Sequence, residues 1–522
     1  MLDILIKDGL IIDGSGNTGY RGSVGIDGDR LNLLRGNVSD VPAARTIEAD
    51  GRVVCPGFID VHAHSGLIAL AHPRHEPKVF QGVTTELVGV DGISFAPFGS
   101  REALAKFIRF NSGLDGAPPL DLCWLTVAEY LDQFDGVACN TAFVLGSGPV
   151  RITAMGWEDR TPSRDELARM LAVIRQGMAE GAYGLSTGLD YLPGCYAGTD
   201  ELVELCREVN RLGGFYHTHV RYTLGDKFLD PFREAIDIGR RSGAPVHLTH
   251  FNQRVPGRGG HHEMLALVDR ARDDGVDVTF DSCPYPYGST LLTIILPQWV
   301  QTGGPDALLD RLGSPEVRQR LAREVSPRSD SWRDMWLTNF SQPHNKQWEG
   351  KSIAEVVEGR GKGLVDVICD LLLEEALQVS YVRASANAAT LPAFYQHPAH
   401  MVGTDALLIG DYPSPRSYGT YPYILGTMVR DERFLTLPEA VRKMTAAPAR
   451  RLGLRDRGFL LDGFKADVVV FDPAGVRSTA TLRQPRQYPS GIDYVIVNGV
   501  VVADHGNHTG ALPGRALRKG QD

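Results

Sequence analysis

The 522-residue chain is longer than one ordinary domain but within reach of an α/β barrel that carries insertions. Its 43% hydrophobic and 22% charged residues suit a globular protein with a large core, which excludes a disordered or fibrous class. A formal charge of −9 gives no basic surface for nucleic acid, and no run of about 18 apolar residues predicts a membrane span.

The opening MLDILIKDGLIIDG is broken by Asp3, Lys7 and Asp8 and does not read as a secretory signal. ILIKDGLIIDGSG predicts strand, turn and strand instead, with further β runs up to TIEADGRVV. At the far end, ADVVVFDP and IDYVIVNGVVVADHG are β-branched runs with a turn at Asn498–Gly499. One small β-sandwich domain is therefore expected from both termini, residues 1–55 and 455–522.

Between them TAFVLG, YGLSTG, FYHTH, PVHLTH, VDVTFDS and HMVGTD are short apolar runs. Amphipathic stretches such as SRDELARMLAVIRQGMAEG separate several of them. Strands alternating with helices predict βα units, and roughly eight such runs fit a (β/α)8 TIM barrel over 56–454. A proline- and arginine-rich stretch at about 284–350 breaks the rhythm and reads as an insertion. Seven scattered cysteines without a CxxC pair favour a reducing cytoplasm.

Barrel enzymes place chemistry at strand C-termini, and polar residues end these strands. In FIDVHAH, His62 and His64 are two apart, so on a strand both imidazoles face one way. Alone, the pair reads equally well as two ordinary histidines near a turn. His219 ends FYHTHVR and His250 ends PVHLTH one βα unit later, so neighbouring strands would deliver them side by side. His217 shares the His219 face, and His247, three before His250, should face away; both read as supporting or packing residues. Asp91 breaks VGVDGIS at a glycine, and Asp405 ends HMVGTD; the bland reading of each is a turn or helix cap. Together HxH, Asp, His, His and Asp form an N/O ligand set for zinc, manganese or iron(II), able to activate water at neutral pH.

PGFIDVHAH, QGVTTELVGVDGISFAP, YGLSTGLDYLPG, YHTHVR, GTDALL, PRSYGTYP and KADVVVFDP, in this order, resemble the N-acyl-D-amino-acid deacylase group of the amidohydrolase superfamily over nearly the whole chain. The resemblance implies a metal-dependent hydrolase with one or two divalent ions, zinc first. His62 and His64 would ligate one site, His219 and His250 the other, and Asp405 would be the acid/base. Asp91 stands where the group has a ligating cysteine, and a carboxylate there is harder and can bridge two ions. Tyr191, Asn252, Cys283 and Arg416 fall at substrate-contacting positions. Asn252 replaces a lysine and Cys283 a tyrosine, so Arg416 is left as the main anion clamp.

The implied reaction is hydrolysis of an N-acyl-D-amino acid. Another amide, a lactone or a C–C bond beside a ketone is the alternative, and a non-catalytic scaffold the remaining one. A small-molecule substrate is the expected partner, and a homo-oligomer is left open.

Overall fold

The computed structural model describes residues 1–254, 259–325 and 332–521. Both chain ends enter one nine-stranded sheet. Leu2–Ile11 pairs antiparallel with Tyr20–Asp27 and parallel with Ala43–Glu48 and Val53–Pro56. Val53–Pro56 then pairs antiparallel with Val468–Phe471, and this joins the two ends of the chain. Alternation divides the faces: Val468 and Val470 join Ile4, Ile6 and Val24 in one core, while Val469 and Phe471 pack with Phe58 and Tyr421 of the barrel side. The expected Asn-Gly turn is present, with Asn498 and Gly499 both at positive φ (48° and 82°), as a tight hairpin requires.

The barrel strands are Phe58–Asp60, Val83–Val88, Asn140–Phe143, Gly184–Gly188, Phe215–His219, Val246–Leu248, Val278–Ser282 and His400–Val402. Every pairing recorded between them is parallel. Leu145–Gly146 continues the third strand and pairs with the fourth. Helices cover them as the amphipathic pattern requires. Arg164–Ala179 starts at a Ser163/Glu166 capping box, and Asp230–Ser242 stops at left-handed Gly243.

The excursion after the seventh strand reaches beyond the 284–350 expected from composition. Tyr287–Leu291, Trp336–Asn339 and Ser380–Ala384 form a separate antiparallel sheet with its own apolar core. Helices Ile353–Arg360 and Leu364–Glu374 belong to that unit, but their capping and apolar spacing look like any barrel helix, so composition could not mark them. Residues 326–331 of that stretch lie outside the described residues. Among the described residues no helix is long and apolar enough to cross a membrane.

Candidate metal centre

His62, His64, Asp91, His219, His250 and Asp405 converge at the C-terminal ends of the barrel strands. Asp91 Oδ2 lies 3.3 Å from His62 Nε2, 3.6 Å from His64 Nε2, and 3.8 Å from both His219 Nδ1 and His250 Nε2. Asp91 thus belongs to two donor groups, His62–His64–Asp91 and Asp91–His219–His250. Asp405 Oδ1 is 3.6 Å from His62 Nε2 and 3.4 Å from His64 Nε2, while its Oδ2 meets Arg416 at 2.8 Å.

Neither aspartate is seen in a capping role. The Asp91 carboxylate accepts from the Thr249 hydroxyl (3.4 Å), and Asp405 leads into a short strand, Ala406–Leu407, not a helix.

Each imidazole uses one ring nitrogen on the protein and turns the other inward. His62 Nδ1 meets Asp281 (3.3 Å), His64 Nδ1 meets Asp115 (3.4 Å), His219 Nε2 meets Asp190 (3.2 Å), and His250 Nδ1 meets the Tyr222 hydroxyl (2.9 Å). Such outer partners fix ring orientation and tautomer, as metal-binding histidines require. Asp281 does more, since its Oδ1 accepts the His250 backbone N–H (2.9 Å).

These four partners escaped the sequence reading. Asp281 ends VDVTFDS and Asp190 lies in YGLSTGLDYLPG, so position at a strand end was a usable signal for both. Asp115 arrives from the end of a distant helix, and nothing local marks it.

His247 corrects an expectation. It points into the barrel, not away: it stacks on His217 (5.1 Å between centroids) and bonds Asp281 (3.0 Å). Strand alternation cannot be counted back from His250, because the strand ends at Leu248 and His250 is left-handed (φ 36°). His217 bonds the Val61 carbonyl (3.1 Å) and stays a supporting residue.

The electrostatics favour a cation. Burial works against charge on His62 and His64, yet the surrounding carboxylates push both well above the usual imidazole range. Burial would raise Asp91, but His62 and hydrogen bonds from His219 and His250 hold it well below the carboxylate range. Asp405, also buried, is held down to about 2 by Arg416 and then His62. His62 Nε2 is buried without a hydrogen-bond partner and is aimed between Asp91 and Asp405. An orphaned imidazole nitrogen facing two carboxylates fits a divalent ion.

Comparison with known proteins agrees with this geometry. Residues 45–290 and 373–503 match the profile of the amidohydrolase family, with most of the excursion falling between the two matched blocks. The chain is 33% identical to the D-aminoacylase of Alcaligenes xylosoxydans xylosoxydans over 99% of its length and 98% of the relative's. The chain belongs to the amidohydrolase family, in its D-aminoacylase group. The N-acyl-D-glutamate deacylase of the same organism is 35% identical over 99% of this chain and 97% of its own. A crystal structure of N-acyl-D-glutamate deacylase from Bordetella bronchiseptica, with zinc and a phosphonate mimic of the tetrahedral intermediate, superposes with a TM-score of 0.82. It is 31% identical and covers 99% of both chains.

In this amidohydrolase the four positions expected to contact substrate differ in what they offer. The Tyr191 ring packs on His219 (4.8 Å) and its hydroxyl meets Thr290 of the excursion (2.9 Å). Arg416 is 2% exposed and reaches the Tyr287 and Ser289 carbonyls (3.4 and 3.3 Å) besides Asp405. Asn252 turns back to the His250 carbonyl (3.0 Å), and the buried Cys283 thiol faces the Tyr285 carbonyl (3.5 Å).

Proposed function

We propose that this amidohydrolase cleaves the amide bond of an N-acyl-D-amino acid or a related N-acyl compound. The convergence of four oriented imidazoles on one shared carboxylate, Asp91, supports it. A divalent ion held by His62, His64 and Asp91, or by Asp91, His219 and His250, supplies Lewis acidity toward a carbonyl and makes water a nucleophile at neutral pH. Asp91, common to both groups, is the residue two ions would share.

Asp405 keeps Oδ1 toward the centre while Arg416 anchors Oδ2. That carboxylate is placed to take a proton from the attacking water and return it to the departing nitrogen. Arg416 also offers a guanidinium for a substrate carboxylate, and Tyr191 forms a wall beside His219.

The engagement of Asn252 and Cys283 with nearby carbonyls favours a second reading. With neither free to clamp a carboxylate, a neutral carbonyl substrate fits the same machinery: another amide, a lactone, or a ketone with a cleavable C–C bond. Arg254, whose guanidinium lies on the Tyr222 ring (3.2 Å to the centroid), brings another cation to the His250 side and so favours the first reading, with its substrate carboxylate.

Elemental analysis of the purified protein, together with turnover of N-acyl-D-amino acids, their L-enantiomers, lactones and diketones, tests both readings. Metal-dependent release of D-amino acids is expected. A metal-loaded protein that turns over lactones or diketones and no N-acyl amino acid would replace the first reading with the second.

The same proposal takes 1–55 with 455–522 as the β unit and 56–454 as the barrel. It places the chain in a reducing compartment, consistent with its seven free cysteines.

A further inference from the structure

We propose that the opposite end of the barrel carries a second site, which binds a small multivalent phosphate-bearing anion. A cleft of about 600 Å³ opens where Phe215, Pro245, Thr279 and Met401 lie at or beside the starts of the last four barrel strands. Helix Ala446–Leu452 and the C-terminal residues Lys519 and Gly520 close its sides. The fifth strand alone, Phe215–His219, separates this cleft from the metal centre by five residues, roughly 15 Å at about 3.3 Å each.

Arg272, Arg442, Arg450, Arg451, Arg455 and Lys519 line it, with Asp277 as the one acid in the lining. In a chain of net charge −9 this excess of positive charge is local. Among the described residues, only Arg451 and Arg442 of this set have carboxylate partners: Asp277 at 2.6 Å and Glu439 at 2.7 Å. Carbonyls hold two others, so their charge stays available. Arg272 reaches Val278 O (2.8 Å), and Lys519 reaches Leu212 O and Gly213 O (2.8 and 2.5 Å).

Asp277 holds Arg451 through both terminal nitrogens (3.1 and 2.6 Å). The Arg451 side chain is 6% exposed, and its Nε is buried without a hydrogen-bond partner.

The favourable placement of cations at a helix C-terminus accounts for Arg450 and Arg451. Arg272 and Arg442 likewise stand in the last turns of their own helices, whereas Arg455 and Lys519 lie outside helices and are not accounted for in this way. The volume lies in the range of small-molecule pockets, about 300–1,000 Å³. Guanidinium forks match phosphoryl oxygens bidentately, and this many donors exceed what one carboxylate can accept.

Calorimetric titration of the full-length, metal-loaded protein with inorganic pyrophosphate at constant ionic strength tests the site. The comparison variant is Arg450→Glu/Arg455→Glu, whose two side chains are exposed and pair with no carboxylate in the cleft. Saturable binding is expected for the wild type and at least tenfold weaker binding for the variant, with metal content and basal hydrolysis unchanged. Arg455→Glu alone should weaken binding several-fold, which keeps the test valid should the double variant fold poorly. Two results would overturn the proposal: no saturable binding to the wild type, or an affinity in the variants equal to that of the wild type. The latter would mean pyrophosphate had gone to the metal centre.

Discussion

Asp91, His250 and Asp405 share an uncommon backbone state, with φ of 53°, 36° and 50°. Left-handed backbone at a non-glycine residue costs about 1–3 kcal/mol where the surrounding structure does not favour it, and such positions cluster at functional sites. Close packing enforces it at Asp91, because a Cβ on Gly188 would fall 2.0 Å from the Asp91 carbonyl. Asn tolerates this conformation about as well as Asp, so Asp→Asn changes charge and little else.

Asp91→Asn is therefore expected to keep the fold while metal content and activity collapse together; elemental analysis beside a turnover assay reads both. Unchanged stoichiometry and rate would reduce Asp91 to a turn residue. Asp405→Asn should hold most of its metal and lose turnover by about 10²–10⁴-fold, the usual weight of a general acid/base. Asp281→Asn leaves one acceptor oxygen where the carboxylate uses two, one on the His250 N–H and the other on His62, and metal affinity should fall about 10–100-fold in a competition titration with a chelator. The meeting of His62 and His64 was legible because a two-residue spacing on a strand fixes a common face. Asp115, among their outer partners, was not, since only a distant helix brings it to His64.

At the scale of elements, a fully buried ionic network ties the first barrel strand to the last. Lys78 Nζ bonds Asp60 (2.5 Å) and Thr404 (3.0 Å) and lies 3.4 Å from Glu86, which also takes His75 (2.9 Å) and Ser65 (2.7 Å). Asp60 Oδ1 accepts the backbone N–H groups of both His62 (3.1 Å) and Thr404 (2.9 Å), so it sets the height of the HxH strand against Asp405. Lys78→Met would leave two buried carboxylates short of their cation and should cost about 3–5 kcal/mol in chemical denaturation.

Acid acts on the same network. Burial would raise the Glu86 carboxyl, but His75 and Lys78 hold it down to about 2, against an ordinary value of 4.5. A depressed acid contributes stability above its ordinary pKa and loses it as pH falls through the folded value. Stability should thus decline from about pH 4.5 toward 2, and Glu86→Gln should flatten that limb of the denaturation midpoint against pH. None of this network announces itself in the sequence, where Lys78 and Glu86 read as ordinary surface charges.

Across the whole molecule the barrel rhythm and the joined termini were readable, because strand and helix periods differ and β-branched runs mark both ends. The length of the excursion was not, since its helices carry the same apolar spacing as those of the barrel. Its edge strand nonetheless reaches the centre, through the Tyr287 and Ser289 carbonyls on Arg416 and through Thr290 on Tyr191. Thr290→Val should loosen Tyr191 and raise KM more than it lowers kcat, which steady-state kinetics would separate.

The seam between first and last strands bears on how the chain acquires its metal. The Asp60–Thr404 bond spans 344 residues, and beyond it Asp405 N–H bonds the His62 carbonyl (2.9 Å) while Ala406 pairs with Ala63. Closing a loop of that length costs about 5 kcal/mol in chain entropy, so the contact belongs to a late step of folding. His219 and His250 sit on adjacent strands and can meet long before; Asp405 can join His62 and His64 only when the ring shuts. A ribosome-bound chain stopped short of residue 400 would carry five of the six donor residues but neither Asp405 nor the last strand that closes the ring on them, so stable uptake of ions would report that the barrel had closed.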